Sequence, residues 1–466
     1  MAKKAKTVFM CNECGNESSK WMGQCPVCGA WNSFVEQKVL DATEDDVRRR
    51  GSGKGKTAAP KPTAIPDVSA AASERIDTGI GELNRVLGGG LVKGSLCLIS
   101  GEPGIGKSTI IIQAAAKISQ SCGSVLYVSG EESEEQIKLR ADRVCSGDLS
   151  NLYLLSETNM EAVIAAEEAM KPAFLIIDSI QTMYSDDVDA APGSPSQIRT
   201  CGSILMNIGK GQNIPIFIVA HVTKTGDLAG PKLVEHMVDA VLQFNGERGQ
   251  DLRILRAVKN RFGTTSEIGA FEMREEGLAE IENISGIFLE GLEDSAEGAL
   301  ATAVYEGTRP LLLEIQALTS TCNVGFARRS SIGIDSQRLG MIVAVLEKKC
   351  HLTMINRDVY VNVVGGLRPE GTSTDLAVAL AIWSDEKGIK IPPDCLCMGE
   401  IGLTGDLRPV QSADKLVKEA ARMGFKTVIM PKRSLDRIPH KPEGCRLIGV
   451  TTVLDAITEI SQLVHN

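Results

Sequence analysis

The sequence predicts an α/β protein with two successive α/β regions and a small metal-binding module in front of them. Three observations support this prediction. Short, almost wholly apolar runs alternate with helical stretches over residues 73–282, a second α/β pattern follows over residues 283–466, and four cysteines cluster within residues 1–36. Residues 37–72 are rich in Gly, Pro, Ala, Ser and charge, with too few large apolar residues to fold, and are expected to form a flexible linker.

The composition is that of an ordinary globular protein, with 43% hydrophobic and 23% charged residues. No apolar run approaches the roughly 20 residues that span a bilayer. The N-terminus, MAKKAKTVFMCNECG, lacks the apolar segment of a secretory signal. We therefore expect a cytoplasmic protein without a membrane partner. The net charge of −9 argues against a uniformly basic surface, but it is compatible with nucleic acid binding at one local surface.

The N-terminal cysteines form two Cys-x-x-Cys-Gly knuckles, Cys11 with Cys14 and Cys25 with Cys28. Each knuckle curls the backbone so that two thiolates meet one metal ion, and two knuckles complete a closed tetrahedral site. The spacing predicts structural Zn²⁺, whose binding is coupled to the folding of so short a segment. The alternatives are a disulfide pair, or a redox Cys-x-x-Cys motif beside a βαβ unit that is not found here.

Two of the three tryptophans, Trp21 and Trp31, lie in the same module. Their indole rings could stack on nucleic acid bases, or they could supply the small interior of the module. The second interpretation is favoured, because so short a segment has few other large apolar residues.

The segment GEPGIGKS matches the phosphate-binding loop pattern G-x-x-x-x-G-K-[ST] in full, between the strand-like SLCLIS and the helical TIIIQAAAKI. Such a loop cradles phosphates with backbone N–H groups at a helix N-terminus. Lys107 is expected to reach the β- and γ-phosphates of ATP and Ser108 to bind Mg²⁺. The alternative is a glycine-rich turn without a ligand. The expected ATP-binding residues are Gly101, Glu102, Pro103, Gly104, Ile105, Gly106, Lys107, Ser108 and Thr109.

Other parts of an ATP site are expected where apolar strands end. FLIIDSI places Asp178 at the end of a strand, the position of the acid that holds Mg²⁺ together with Ser108. IPIFIVAH places His221 at another strand end, where its ring can sense the γ-phosphate, although a lone histidine is often only structural.

Glu131 follows the strand-like SVLYVSG and is the candidate base that polarises the attacking water. The alternative is ordinary helix-start chemistry, because Ser133 and Gln136 have the spacing of a capping box and acidic residues suit that end of the helix dipole.

Four motifs in order point to a known family. TGIGELNRVLGGGLVKGSLCLISGEPGIGKST is similar to the nucleotide-binding segment of RecA-type ATPases, and AVKNRFGTTSEIGAFEM carries KNRFG. The segments LRPEGTSTDLAVALA and GEIGLTGDLRPVQSADKLVKEAARMGFK resemble the proteolytic domain of Lon-type proteases. With the cysteine module, the chain resembles the RadA (Sms) family of bacterial recombination and repair ATPases over nearly its whole length. The resemblance implies a RecA-like P-loop ATPase core, a Lon protease-like α/β domain and an N-terminal four-cysteine zinc ribbon.

The resemblance also assigns a role to KNRFG. In related ring-shaped motors a Lys-x-Arg pair acts on the γ-phosphate of the neighbouring subunit, which makes Lys259 and Arg261 candidate catalytic residues in trans. The implied assembly is a homo-oligomer, a hexameric ring. Without the family context, the same turn would be interpreted as a solvated basic turn.

The resemblance implies DNA-dependent ATP hydrolysis with ATP, Mg²⁺ and Zn²⁺ as cofactors. The implied partners are single-stranded DNA, branched recombination intermediates undergoing branch migration, and the RecA recombinase, at a nucleoid-associated location. Lys224 and Lys232 lie in a glycine-containing loop suited to tracking a phosphate backbone. In the Lon-like region Arg328 and Arg329, together with Arg309, are the candidate DNA contacts.

Ser373 occupies the position of the Lon nucleophile, but Asp414 stands where the activating lysine is expected. A serine hydroxyl without a base is a poor nucleophile. Only a shifted alignment would make Lys415 or Lys418 the base, so proteolysis is not expected. The competing functions are an ATP-dependent Lon-type serine protease and a KaiC-like signalling ATPase without a nucleic acid partner.

Overall fold

A nine-stranded mixed sheet forms the centre of one compact unit, Met1–Glu280, and a seven-stranded mixed sheet forms the centre of a second, Ile281–Asn466. The first unit ends at Glu280, two residues before residue 282, where the sequence predicted the end of the first α/β region. No helix in the described part of the chain is long and apolar enough to cross a bilayer. The computed structural model describes residues 5–11, 16–27, 29, 31–40, 75–221, 231–246, 251–292, 296–322, 327–369 and 371–465.

A three-stranded antiparallel sheet organises the N-terminal module. Strand β1 (Ala5–Cys11) pairs with β2 (Glu17–Ser18) on one side and with β3 (Phe34–Leu40) on the other. Strand β3 runs through residue 40, so this sheet includes four residues that composition assigned to the linker. Among the described residues, the buried cluster of the module consists of Cys11, Cys25 and Phe34.

The two tryptophans of this module lie on its surface. Trp21 is 52% exposed and Trp31 is 72% exposed, so the expectation that they form its interior is wrong. The Nε1 atom of Trp21 donates a hydrogen bond of 3.1 Å to the carbonyl of Phe34, which holds that ring at the surface. Among the described residues, the buried positions of the module belong instead to Cys11, Cys25 and Phe34, and Phe9 and Met22 pack against them.

The large sheet of the first unit has the strand order β14-β13-β12-β11-β6-β10-β9-β7-β8. Strands β11, β6, β10, β9, β7 and β8 run parallel, and β12, β13 and β14 extend the sheet with antiparallel pairing. The first-unit strands after the N-terminal module are β4 (Arg75–Ile76), β5 (Leu91–Val92), β6 (Leu96–Gly101), β7 (Val125–Ser129), β8 (Leu152–Ser156), β9 (Phe174–Asp178), β10 (Ile216–His221), β11 (Ala240–Asn245), β12 (Leu252–Asn260), β13 (Ile268–Arg274) and β14 (Gly277–Glu280).

The four apolar runs that the sequence marked as strands are β6, β7, β9 and β10, which confirms that prediction, and they pair in parallel. Helices on both faces bury them, which is why their sequences are almost wholly apolar. The helices of this unit are α1 (Gly81–Leu87), α2 (Lys107–Ser121), α3 (Glu134–Val144), α4 (Met160–Met170), α5 (Pro195–Gln212) and α6 (Pro231–Met237). Helix α3 begins with the predicted capping box of Ser133 and Gln136.

The second unit is built on a sheet with the order β17-β18-β16-β15-β19-β22-β23. Its strands are β15 (Ala299–Glu306), β16 (Arg309–Thr321), β17 (Arg329–Ile332), β18 (Arg357–Val363), β19 (Cys395–Cys397), β22 (Thr427–Pro431) and β23 (Arg446–Val450), with a separate pair β20 (Glu400–Ile401) and β21 (Leu407–Arg408). Its helices are α7 (Ile284–Phe288), α8 (Ser336–Cys350), α9 (Asp375–Lys387), α10 (Ala413–Arg422), α11 (Lys432–Leu435) and α12 (Val453–His465).

A buried ion pair anchors the start of α9 in this unit. Asp375 is 2% exposed and accepts hydrogen bonds from Arg338 on α8 and from the backbone N–H of Ile401. Breaking such a pair is costly because it leaves a buried charge without its partner. The pair therefore fixes the backbone that carries Ser373, immediately before α9.

Candidate nucleotide-binding site

The phosphate-binding loop joins the end of β6 to the start of α2. Gly104 and Gly106 have φ angles of 79° and 115°, a backbone region that side chains disfavour. A side chain at Gly106 would also meet the methyl carbon of Met273 at 2.9 Å. The 15-residue helix α2 starts directly behind this loop, so its positive dipole end and its first N–H groups face the cavity in front.

Lys107 is folded back over this loop. Its side chain is almost fully buried, and its Nζ atom donates hydrogen bonds of 2.9 and 3.0 Å to the carbonyls of Gly101 and Glu102. Burial lowers the pKa of Lys107 to about 8, against the opposing attraction of Asp178 and Glu131. The ammonium group is therefore charged at neutral pH and close to the pH at which it loses its proton.

Asp178 ends β9 beside this lysine and is 6% exposed. Its Oδ2 atom accepts a hydrogen bond of 2.5 Å from the hydroxyl of Tyr127, which is fully buried in the neighbouring strand β7. Burial, followed by the Asp178 charge, raises the pKa of Tyr127 well above its usual value, so this hydroxyl is a proton donor. Tyr127 could not be predicted as part of the site, because a tyrosine in an apolar strand gives no sign in the sequence of where its hydroxyl points.

Glu131 lies between two polar neighbours. The hydroxyl of Ser179 donates a hydrogen bond to it, and the Nε2 atom of His221 lies 3.3 Å from its Oε1 atom. The contact with His221, and then the hydrogen bond from Ser179, lowers the pKa of Glu131 to about 2 against the cost of burial. Glu131 is therefore a carboxylate at neutral pH, suited to accepting a hydrogen bond from water more than to holding a proton.

These side chains surround one cavity of about 480 Å³. Its lining brings together eight of the residues predicted from the sequence, namely Gly104, Gly106, Lys107, Ser108, Thr109, Glu131, Asp178 and His221. Gly101 and Glu102 contribute through their carbonyls beneath Lys107, and Pro103 and Ile105 complete the loop.

Three arginines that the sequence did not suggest also line the cavity. Arg140 and Arg143 come from helix α3, and Arg253 comes from the start of β12. Arg140 is paired with Glu132, and Arg253 donates a hydrogen bond of 3.2 Å to the carbonyl of Ile105. In the sequence, these arginines are marked only by their position on helices or strands that follow predicted site residues. Many other residues share that position, so it does not identify them as part of the site.

The residues of this cavity fit a magnesium–nucleotide complex. Backbone N–H groups and Lys107 suit the phosphates, and the hydroxyl of Ser108 and the carboxylate of Asp178 are the oxygen donors that Mg²⁺ prefers. In the N-terminal module, Cys11 and Cys25 are both buried in one cluster, which fits half of a four-cysteine zinc site. The other two predicted ligands, Cys14 and Cys28, lie outside the described residues.

Lys259 and Arg261 lie at the opposite end of the sheet from the phosphate-binding loop. Lys259 donates 2.8 Å hydrogen bonds to the carbonyls of Glu235 and Val238, at the C-terminal end of α6. Arg261 is paired at 3.0 Å with Asp239, whose backbone N–H bonds the carbonyl of Leu96 at the start of β6. Because β6 runs five further residues to Gly101, about 16 Å separates this end from the phosphate-binding loop of the same chain.

The candidate DNA contacts are only partly described. Lys224 lies outside the described residues, and of Lys232 the structure describes the backbone in α6 but not the side chain. The guanidinium of Arg329 donates hydrogen bonds to the carbonyls of Met354 and Arg357, within its own unit. Arg328 is exposed, and its backbone N–H bonds Asp358 at 2.7 Å.

Lys415, a candidate base for Ser373 in the Lon-like region, has an environment that favours its protonated form. The Nζ atom of Lys415 donates a 2.7 Å hydrogen bond to the hydroxyl of Tyr305 and lies 5.0 Å from the centre of that ring. The hydrogen bond raises the pKa of Lys415. A general base must give up its proton before it can accept one, so this arrangement works against activation of Ser373.

Taken together, the RecA-like sheet, the phosphate-binding loop and the carboxylates at the neighbouring strand ends define a P-loop ATPase. Family models agree, since residues 59–227 match the AAA domain, residues 9–36 match the rubredoxin metal binding domain, and residues 324–434 match subunit ChlI of Mg-chelatase.

Curated relatives narrow the class. The chain is 50% identical to the DNA repair protein RadA of Bacillus subtilis, over 97% of this chain and 98% of that protein. It is 49% identical to RadA of Halalkalibacterium halodurans, over 98% of this chain and 99% of that protein. It is 48% identical to RadA of Streptococcus pyogenes, over 97% of this chain and 98% of that protein. The chain belongs to the RadA family of DNA repair proteins.

The lowered pKa of Lys107 predicts a pH dependence of nucleotide binding. Above about pH 8 the free site loses the ammonium charge that phosphates need, so ADP affinity should fall about fivefold between pH 8 and pH 9. Isothermal titration calorimetry in two buffers of different ionisation enthalpy should also show proton uptake on binding. In a Lys107→Arg control the cation keeps its charge, and the fall should disappear. Equal ADP affinity of the unaltered protein at both pH values would contradict the assignment.

Proposed function

We propose that this chain is a DNA-dependent ATPase that forms a ring and moves along single-stranded DNA in recombinational repair. In this role it processes recombination intermediates and supports their branch migration together with the RecA recombinase. The observation that carries the proposal is the arrangement of the ATP site at one end of the parallel sheet and of Arg261 at the other. One chain thus supplies two different parts of an ATP site, which a neighbouring copy can bring together.

Nucleotide binding rests on the phosphate-binding loop. The backbone N–H groups at the start of α2 take the phosphate oxygens, and Lys107 moves from the loop carbonyls to the β- and γ-phosphates. Those carbonyl contacts keep the ammonium group in place before ATP arrives.

Ser108 and Asp178 are the residues that would hold Mg²⁺. A magnesium ion held by these residues would supply positive charge that neutralises the negative charge of the phosphates. The hydroxyl of Tyr127 donates a hydrogen bond to Oδ2 of Asp178, so Oδ1 is the oxygen that would remain for the metal and its waters.

Glu131 orients the water that attacks the γ-phosphorus. As water bonds to phosphorus, the bond from phosphorus to the bridging oxygen of ADP breaks, and inorganic phosphate and ADP are released. The transition state is loose, so little proton transfer is needed before attack, and a carboxylate with a pKa of about 2 suffices to align the water. His221 and Ser179 fix the position of that carboxylate.

Arg261, with Lys259, completes the site from a second copy of the chain. A cation at the γ-phosphate stabilises the negative charge of the transition state. Arg261 could supply such a cation only to a neighbouring copy, because about 16 Å of β6 separates its end of the sheet from the phosphate-binding loop of its own chain. It is 53% exposed on its side chain and therefore accessible to a neighbour. This requirement supports a homo-oligomeric ring, for which six copies are the number that the family resemblance suggests.

The DNA partner is supported by family membership, because the relatives are named DNA repair proteins. Lys224 and Lys232 follow β10 in the sequence and remain the proposed contacts, with Arg328 as a further one in the second unit. Arg329 is a weaker candidate, because its guanidinium is engaged by its own backbone. A cytoplasmic, nucleoid-associated location follows from a DNA partner.

Single-stranded DNA should stimulate ATP hydrolysis several-fold, with binding that weakens steeply as salt is raised. Phosphate release is measured with and without an oligothymidylate at two salt concentrations. Lys107→Ala should abolish turnover in both conditions, whereas Lys117→Ala, on the same helix but bonded to the carbonyl of Gly79, should retain it. An ATPase rate indifferent to DNA, without salt-sensitive DNA binding, would favour a signalling ATPase instead.

Replacing Arg261 should separate turnover from nucleotide binding. Arg261→Ala should lower kcat by about 1,000-fold, the effect of removing such an arginine, while ADP affinity stays within about twofold. Arg274→Ala on the neighbouring strand β13, where Arg274 pairs with Glu272, is the matched control and should behave as the unaltered protein. Loss of ADP binding, or turnover near normal, would show that Arg261 does not act on the γ-phosphate.

A further inference from the structure

We propose that Tyr127 is a positioning residue for the magnesium site, which holds the Asp178 carboxylate in the orientation that the metal requires. This inference rests on the proposed function, because it takes Asp178 to be the carboxylate that holds Mg²⁺. It extends that function to a residue deep in the sheet that would not touch nucleotide or metal itself.

The strand register creates the contact. Strands β7 and β9 are parallel neighbours in which Tyr127 pairs with Ile176 and Ser129 pairs with Asp178. Residues two apart on a strand share a face, so all four side chains lie on the same side of the sheet. The Tyr127 ring extends along that face towards the strand end, and its hydroxyl meets Asp178 Oδ2 at 2.5 Å.

Burial makes this hydrogen bond directional. Tyr127 is fully buried beneath α2 and α3, in the cluster that includes Ile111 and Ala141. Its ring therefore has no room to turn away, and its hydroxyl has a fixed position. The carboxylate that accepts from it is 6% exposed, so protein surrounds it except on the side that faces the cavity.

A purely apolar role does not account for the hydroxyl. Phenylalanine would fill the same space among the aliphatic neighbours, and a buried hydroxyl is costly unless it is hydrogen-bonded. Here the hydroxyl bonds one oxygen of the carboxylate that faces the cavity. Hydrogen-bond partners of metal ligands of this kind typically change metal affinity by about 10–100-fold when removed.

The test compares Tyr127→Phe with the unaltered protein by measuring ADP affinity calorimetrically, in EDTA and over a Mg²⁺ titration. The ring is kept, so ADP affinity in EDTA should stay within about twofold. The Mg²⁺ concentration for the half-maximal gain in affinity should rise about tenfold. Mn²⁺ binding in the presence of ADP, followed by electron paramagnetic resonance, should weaken to the same extent. Tyr153→Phe, on the neighbouring strand β8 and 47% exposed, is the matched control and should change neither readout.

A double-mutant cycle with Asp178→Asn tests whether Tyr127 acts through Asp178. If it does, adding Tyr127→Phe to Asp178→Asn should produce no further change in the Mg²⁺ response. The double variant also shows whether any loss of folding in Tyr127→Phe arises from the carboxylate left without its donor. Independent, additive effects would overturn the inference.

The remaining outcomes separate this inference from the proposed function. A normal Mg²⁺ response in Tyr127→Phe, with an impaired one in Asp178→Asn, would overturn the positioning role and leave the ATPase site intact. Loss of ADP affinity in EDTA by Tyr127→Phe would assign the tyrosine a structural role only. A normal Mg²⁺ response in Asp178→Asn would overturn the magnesium assignment, and with it the mechanism proposed above.

Discussion

The parallel register of β6, β10, β9 and β7 is the constraint on which the candidate site depends. Because these strands run in the same direction and end at one edge, the loop before Lys107 and the side chains of Asp178, Glu131 and His221 meet in one cavity. Buried apolar side chains on both faces hold the register, and a slip of one residue would turn Asp178 to the other face of the sheet.

The charged side chains of the cavity suit a ligand that carries both negative and positive charge. Its described lining carries four cationic side chains and three carboxylates, namely Lys107, Arg140, Arg143, Arg253, Glu131, Glu132 and Asp178. Burial disfavours the charge of Lys107 more than the carboxylates support it, which is why its pKa falls. Phosphates would restore that support and a divalent cation would be attracted to the carboxylates, so a metal–nucleotide complex would satisfy both sets of charges.

The sequence was sufficient to predict that Lys107, Asp178 and His221 lie close together, because a phosphate-binding loop and the ends of apolar strands are local patterns. It was not sufficient for Tyr127, because its hydrogen bond to Asp178, 51 residues later in the chain, depends on the register between two strands. It was misleading for Trp31, because hydrophobicity alone predicts burial, whereas the interior of so small a module is taken up by cysteine side chains and Phe34. The hydrogen bond of Tyr127 and the exposure of Trp31 both depend on contacts between residues that are distant in the sequence.

The proposed sharing of each ATP site between two copies of the chain can be tested by mixing two inactive variants. Lys107→Ala lacks a functional phosphate-binding loop but keeps Arg261, and Arg261→Ala has the opposite defect. Where the two copies are neighbours, one interface joins an intact loop to an intact arginine. We expect that ATP hydrolysis, absent or nearly absent in each variant alone, returns on mixing and rises with the fraction of mixed interfaces. A mixture as inactive as its components, although mass measurement shows mixed oligomers, would contradict the shared site.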